Sequence, residues 1–260
     1  MKKSVLIFTK VPIPGSVKTR LSQTTSLSEI EASLLAQAML EDTIILASRS
    51  KANSIEIGYY PEEHFQELQK IVDNVQKTND LRIDLNFYLQ NGSSFDERFG
   101  SVVKASIESG NDLIVVIGAD LPYMPSSLIN SAFTNLGTIG KTNDVVIGPA
   151  GEGGIYLVGI SRHFVPIWFS DYNLFTSGVE IIQFSKFCKL EELKLHLLTP
   201  LIDIDIEDDL VSLLGFIEGL KIAETNENFH YPYYTAKVLE SLGLYIKEIE
   251  GKNRNRRIGK

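Results

Sequence analysis

Leu113-Ile114-Val115-Val116-Ile117-Gly118-Ala119-Asp120-Leu121-Pro122 is the stretch on which the fold turns. A continuous apolar run this short, closed by Gly118, reads as a strand buried on both faces. Such strands sit inside parallel sheets covered by helices. Working outward, Val5–Phe8 is a second run of the same kind. Ile55, Ile57 and Tyr59 alternate as in a strand, and so do Ile83, Leu85, Phe87 and Leu89. Helical stripes fall between them. Leu34, Leu35, Ala38, Ile45 and Leu46 follow a Ser28–Glu31 capping box. Phe65, Leu68, Ile71 and Val72 form another stripe, and Phe95, Phe99, Val102, Val103 and Ile107 a third. A helix near Ser126–Leu136 and a strand at Asp144–Gly148 come next. Strands alternating with helices predict an α/β fold with a mostly parallel central sheet.

The rhythm changes after Gly148. A glycine-rich stretch leads straight into the strand Ile155–Ile160, which predicts an antiparallel hairpin rather than another strand–helix unit. A late strand at Leu195–Thr199 and a helix at about Glu207–Gly219 follow. These patterns divide the chain into a main domain, 1–220, and a C-terminal helical extension, 221–260. The extension carries a helix at Tyr233–Leu242 and a basic tail, Gly251–Lys260, expected to fray. The aromatic cluster Phe229–Tyr234 either packs the extension onto the core or lines an acceptor site or a dimer contact.

Composition narrows the function. Thirty-three acids against 25 bases give the 260-residue chain a net charge of −8. That argues against a surface built to coat nucleic acid or anionic membrane. The one cysteine, Cys188, excludes an internal disulfide and a Cys-rich metal site, and its apolar surroundings mark a core residue. No run approaches the ~18 apolar residues of a membrane span. The expectation is a soluble, cytoplasmic protein.

Four stretches can carry chemistry. Lys10-Val-Pro12-Ile-Pro-Gly15-Ser-Val-Lys18-Thr-Arg20-Leu21 follows the first strand, at the edge where open α/β sheets bind ligands. A glycine there lets backbone approach a phosphate and the cations neutralise it; the alternative is a solvated loop. Asp120, just past the most buried strand, suits a hard-metal ligand or a turn before Pro122. Gly148-Pro149-Ala150-Gly151-Glu152-Gly153-Gly154 permits close backbone approach to a ligand, or a tight hairpin without one. Asp203-Ile204-Asp205 puts two carboxylates on one side of an extended segment, which invites a cation. Glu207, Asp208 and Asp209 read instead as helix-capping acids. Asn135–Thr142 mimics a P-loop but has Asn135 for the first glycine and precedes a strand, so it is rejected. The four histidines are scattered, with no zinc spacing.

Taken in order, these stretches resemble the DUF2064 family of transferases, whose fold is of the GT-A type of nucleotide-diphospho-sugar transferases. A more distant likeness is to the 2-phospho-lactate guanylyltransferases. Lys10–Leu21 is similar to the family's K-x-P-x-P-G-x-V-K-T-R-L. Phe95-Asp-Glu97-Arg98-Phe99 resembles its G-E-R-L, and Gly118–Pro122 its G-x-D-x-P. Gly148–Gly159 resembles G-P-A-x-D-G-G-Y-Y-L-I-G, and Asp203–Leu210 resembles D-x-D-T-P-E-D-L. The likeness spans roughly residues 4–215. It implies a GT-A-like, Rossmann-like three-layer sandwich. It implies that Lys10, Pro12, Gly15, Lys18 and Arg20 hold nucleotide phosphates. Asp120 would be the principal Mg²⁺ (or Mn²⁺) ligand, with Asp205 the second and Asp203 near it. Pro149, Ala150, Glu152, Gly153 and Gly154 would line the base or acceptor pocket. Glu152 stands where the family has Asp, Ile155 where it has an aromatic, and Ile206-Glu207 where it has Thr-Pro.

The function this implies is Mg²⁺-dependent nucleotidyl transfer from a nucleoside triphosphate to a small phosphate- or carboxylate-bearing acceptor. Catalysis would rest on Lys18, Arg20 and Asp120. One alternative is a glycosyltransferase using a nucleotide-sugar, with Glu152 as base. Another is a nucleotide-binding protein without turnover. The sequence names neither the acceptor, nor the base, nor the oligomeric state.

Overall fold

The computed structural model describes residues 1–137, 144–223, 229–248 and 256–260. The mimic's Gly140-Lys141-Thr142 and the first half of the basic tail lie outside them. A seven-stranded sheet runs in the order β3-β2-β1-β4-β6-β5-β7. Its strands are β1 (Lys3–Lys10), β2 (Ser54–Tyr60), β3 (Asp84–Leu89), β4 (Leu113–Gly118), β5 (Val145–Pro149), β6 (Ile155–Ser161) and β7 (Leu195–Leu197). Only β6 runs against its neighbours, pairing antiparallel with both β4 and β5. The expected α/β architecture and the hairpin excursion after Gly148 are both present.

Helices cover the two faces. The alternation along β1 decides which residue meets which layer. Val5 and Ile7 pack with α2 (Glu29–Ser48), α3 (Phe65–Thr78), α5 (Ser126–Leu136) and α8 (Glu207–Ile222). Leu6 and Phe8 pack with α4 (Phe95–Glu108), α6 (Trp168–Asp171) and α7 (Glu180–Leu190). Capping boxes at Ser28/Glu31 and Ser94/Glu97 start α2 and α4, each satisfying two orphan backbone donors. The sole cysteine, Cys188, is buried in the second layer, and burial pushes its thiol up to about 11.

The chain after α8 is tied to the main sheet's helices. Asp42 of α2 accepts from the backbone N–H groups of Tyr234 (3.1 Å) and Thr235 (2.8 Å), at the start of α9 (Tyr233–Ser241). Phe229 packs edge-on against Phe216 of α8. The last strands, β8 (Tyr245–Glu248) and β9 (Arg256–Gly259), form an antiparallel ribbon. Glu207 fastens it, accepting from Ile258 N–H (2.9 Å) and the Arg257 guanidinium (2.5 Å). Arg256–Gly259 is therefore paired strand rather than the frayed end expected from its charge, because Ile258 has an apolar seat and Glu207 supplies the counter-charge.

Candidate active site

Every stretch singled out above reaches the same edge of the sheet. β1, β4, β5 and β7 are parallel to one another, so their carboxyl ends share that edge. The loop 11–18 follows β1, Asp120 follows β4, the glycine-rich turn follows β5, and Asp203–Asp205 follows β7. The chain leaves β1 toward β2 on one side and meets β4 on the other. That reversal opens a crevice, the usual ligand position of such sheets.

A cleft of about 600 Å³ lies there. Lys10, Pro12, Lys18, Arg20, Asp120 and Asp205 line it. Ile204 N–H donates to Asp120 O at 3.0 Å, which pins the two acidic loops together. Lys18 is held in the left-handed region (φ 49°, ψ 35°) just before the short helix α1 (Thr19–Thr24). This turns its side chain inward, leaving it only 5% exposed. Its Nζ lies 2.5 Å from Asp120 Oδ1 and 3.9 Å from Asp205 Oδ1, and donates to Ile204 O at 2.5 Å. Arg20 donates to Asp205 Oδ2 at 2.6 Å from a largely exposed position.

The remaining residues expected at a site are placed differently. Gly15 is exposed at φ +76°, beside Glu29. Asp203 is half-buried under the glycine-rich turn, within reach of Gly151. Burial, followed by the charges of Asp120, Asp209 and Asp205, raises its carboxyl above the ordinary range. Pro149 is buried in β5, and Ala150 N–H donates to Gly154 O at 2.8 Å, closing the turn. Glu152 is exposed at φ 55°. Gly153, at φ +85°, lies against Val179. Neither Asp203 nor any residue from Pro149 to Gly154 is among those lining the cleft. Of the acids after Asp205, Asp209 does cap, accepting from Asp205 and Ile206 N–H at 3.0 and 2.9 Å. Glu207 instead anchors the C-terminal ribbon.

Several lining residues lie outside the four stretches singled out for chemistry. Phe8, Phe95, Phe99 and Phe175 make an aromatic wall, with Phe95–Phe175 centroids 5.0 Å apart. Gln90 follows β3, and its amide donates to Thr9 O and Gly58 O, each at 2.9 Å. The rule that ligands sit beyond strand carboxyl ends points to Gln90 and Phe8. Nothing local points to Phe175, which is placed by the buried Asp96 accepting from its N–H (2.9 Å) and from Thr176 Oγ1 (2.5 Å).

Among the described residues, no group of three or more His, Cys, Asp or Glu side chains could hold a metal ion. The donor chemistry still fits a hard cation. Two carboxylates and one backbone carbonyl surround a positive charge, that of Lys18, and Mg²⁺ is ordinarily held by one or two carboxylates plus phosphate and water.

Residues 55–174 match the family "Uncharacterized protein conserved in bacteria (DUF2064)". The resemblance read from the motifs is thus borne out over residues 55–174. The DUF2064 match takes in Gly118–Pro122 and Gly148–Gly159 and stops short of Lys10–Leu21 and Asp203–Leu210. No curated protein matches the chain. Among solved structures, it is similar to a "putative nucleotide-diphospho-sugar transferase" from Desulfovibrio desulfuricans G20, with TM-score 0.70 and 23% identity over 93% of this chain and 97% of that one. A cytidylyltransferase from Leptospira borgpetersenii serovar Hardjo-bovis (strain JB197) follows, with TM-score 0.57 and 14% identity over 94% and 95%. A 4-diphosphocytidyl-2C-methyl-D-erythritol synthase from Anaerococcus prevotii DSM 20548 has TM-score 0.57 and 11% identity over 84% and 96%. At these identities the likeness establishes the fold, which is the one the motifs implied.

Proposed function

We propose that this protein is a divalent-metal-dependent nucleotidyltransferase that moves a nucleoside monophosphate from a triphosphate to a small phosphate- or carboxylate-bearing acceptor, releasing pyrophosphate. The observation that carries the reading is the convergence of Lys18, Arg20, Asp120 and Asp205 on one cleft at the crossover between β1 and β4. The neighbours named as a cytidylyltransferase and a nucleotide-sugar transferase have the same fold.

Asp120 and Asp205 would hold the Mg²⁺ or Mn²⁺. When bound, it would neutralise charge on the α-phosphoryl oxygens. Lys18 and Arg20 supply positive charge where pyrophosphate develops as it leaves, a term of the oxyanion-stabilising kind. Lys10, on the rim, adds a third cation. An acceptor that is already an oxyanion attacks without a general base, which accords with a cleft whose lining contains no histidine. Glycosyl transfer to a neutral hydroxyl would gain from a carboxylate base. The candidate for that role, Glu152, is outside the cleft lining. This placement favours nucleotidyl transfer.

Thermal shift against ATP, GTP, CTP, UTP, UDP-glucose and GDP-mannose, with and without Mg²⁺, tests the proposal. One triphosphate should stabilise the protein in a Mg²⁺-dependent way, by about 2.7 kcal/mol at a hundredfold excess over Kd. The same triphosphate should then release pyrophosphate when candidate oxyanion acceptors are added. A shift confined to a nucleotide-sugar would replace this reading with glycosyl transfer. Binding with no turnover on any acceptor would favour a nucleotide-binding protein.

A further inference from the structure

The best-held cation of the cleft is part of the chain itself. The Lys18 ammonium touches Asp120 Oδ1 and Ile204 O, each at 2.5 Å, and lies 3.9 Å from Asp205 Oδ1. The two carboxylates among these partners are the ones assigned above to a divalent ion. Mg²⁺ draws its oxygen ligands to about 2.0–2.1 Å. An ion on Asp120 Oδ1 and an ammonium 2.5 Å from that same atom would be close like charges in a site where Lys18 is only 5% exposed. One of them must move away. The lysine stem is flexible enough to do so, having four carbons and rotatable donors. Its new position must supply oxygens, however, or the move strips the ammonium of every partner beside a dication. A polyphosphate supplies them. Arg20 does not take over the role, because it already pairs with Asp205 from an exposed position.

We infer that Lys18 is the internal counter-ion of the Asp120–Asp205 pair, and that the cleft takes a divalent cation as its complex with a polyphosphate rather than as the bare ion. Lys18 passes from carboxylate to phosphate as the cation takes its place. The inference rests on the nucleotidyltransferase reading only for the natural identity of the polyphosphate. It also changes the role expected for Lys18 from the sequence: in the free protein this residue holds the metal ligands, and it meets phosphate only after being displaced.

Mn²⁺ binding without nucleotide, followed by electron paramagnetic resonance of the free ion, is the test. Lys18→Met and Lys18→Gln should each bind bare Mn²⁺ at least tenfold more tightly than wild type. Inorganic tripolyphosphate should raise the wild-type Mn²⁺ affinity at least tenfold and the variants' affinity much less. Equal Mn²⁺ affinity in wild type and folded variants would overturn the inference. Should neither variant fold, the wild type still decides. Acylation of Lys18 by an amine-reactive reagent, read by mass spectrometry, should quicken as Mn²⁺ fills the site. Unchanged protection of Lys18 at saturating Mn²⁺ would overturn the inference equally. Tripolyphosphate serves as the probe, so a wrong nucleotide assignment leaves every arm readable.

Discussion

Glu56 stands in the middle of β2, fully enclosed, and its carboxylate accepts from Ser4 (2.8 Å), Ser106 (2.5 Å), Asn111 (2.6 Å) and Tyr88 (3.1 Å). A buried carboxylate with four donors is stable only while all four are present. Glu56→Ala should cost about 3–5 kcal/mol, since it orphans several buried donors at once. Urea unfolding measures this, and a loss under 1 kcal/mol would show that water replaces the carboxylate. At the site, Asp120→Asn should leave the fold intact and abolish the Mg²⁺-dependent part of the triphosphate-induced thermal shift. An undiminished shift would remove Asp120 from the metal site. Gly153 sits at φ +85°, and a Cβ there would lie 2.4 Å from Val179 Cγ1. Gly153→Ala should therefore lower stability by about 1–3 kcal/mol. A cost below 0.5 kcal/mol would mean the turn relaxes freely.

Among the elements, α4 holds a loop that forms one wall of the cleft. Asp96 in its first turn fixes Phe175 and Thr176 from across the layer, so Asp96→Ala frees the loop carrying one wall of the cleft. Stability should fall by about 1–3 kcal/mol, and triphosphate affinity should fall with it. Calorimetry would contradict this if the affinity held constant while stability dropped. Ser94→Ala, which removes only the cap, should cost about 1 kcal/mol and leave affinity alone. The same contrast explains what the sequence disclosed. β4 and β1 were legible because continuous β-branched runs have one plausible fate. α2 and α4 were legible because their capping boxes mark the starts. α7 lies within reach of the same reading, with Phe184, Phe187 and Cys188 at helical spacing and all buried. The six-residue α1 has a single buried residue, Leu21, and no periodicity to detect. Its position depends on the left-handed Lys18. The ribbon β8–β9 pairs two short, mostly polar segments, held by the buried Ile258 and by Glu207, neither of which a local pattern announces. Lys18, Arg20, Asp120 and Asp205 were legible as residues that bind charge. Their pairing with one another was not, since it depends on three loops meeting at one edge.

For the whole molecule, two buried groups where the chain after α8 meets α2 set a pH signature: Asp42, and His230, whose Nδ1 lies 2.9 Å from Arg49 Nη1. Burial raises Asp42 from its ordinary 3.8 to about 7, outweighing the backbone donors of Thr235 and Tyr234. Burial, aided by Arg49, lowers His230 from 6.5 to about 4. A raised acid favours the folded state below pH 4 and loses that advantage as pH climbs toward 7. A depressed histidine does the reverse, its contribution present above 6.5 and lost as pH falls toward 4. Between about pH 4.5 and 6.5 the folded protein keeps one proton on Asp42 and the unfolded chain one on histidine, so the two slopes cancel. In Asp42→Asn only the histidine slope remains. The variant's stability should then rise relative to wild type by roughly 1 kcal/mol per pH unit over that window. Parallel pH profiles for the two proteins would rule out the paired assignment. β1 is made first, yet its partner on one side, β4, comes much later: Lys3 pairs with Leu113. At roughly 5–20 residues per second of synthesis, β1 waits on the ribosome for several seconds, half-paired with β2. Asp205 emerges later still. The nascent chain thus exposes an apolar strand edge before the sheet can close, and it has no cleft to fill until the chain beyond β7 has been made.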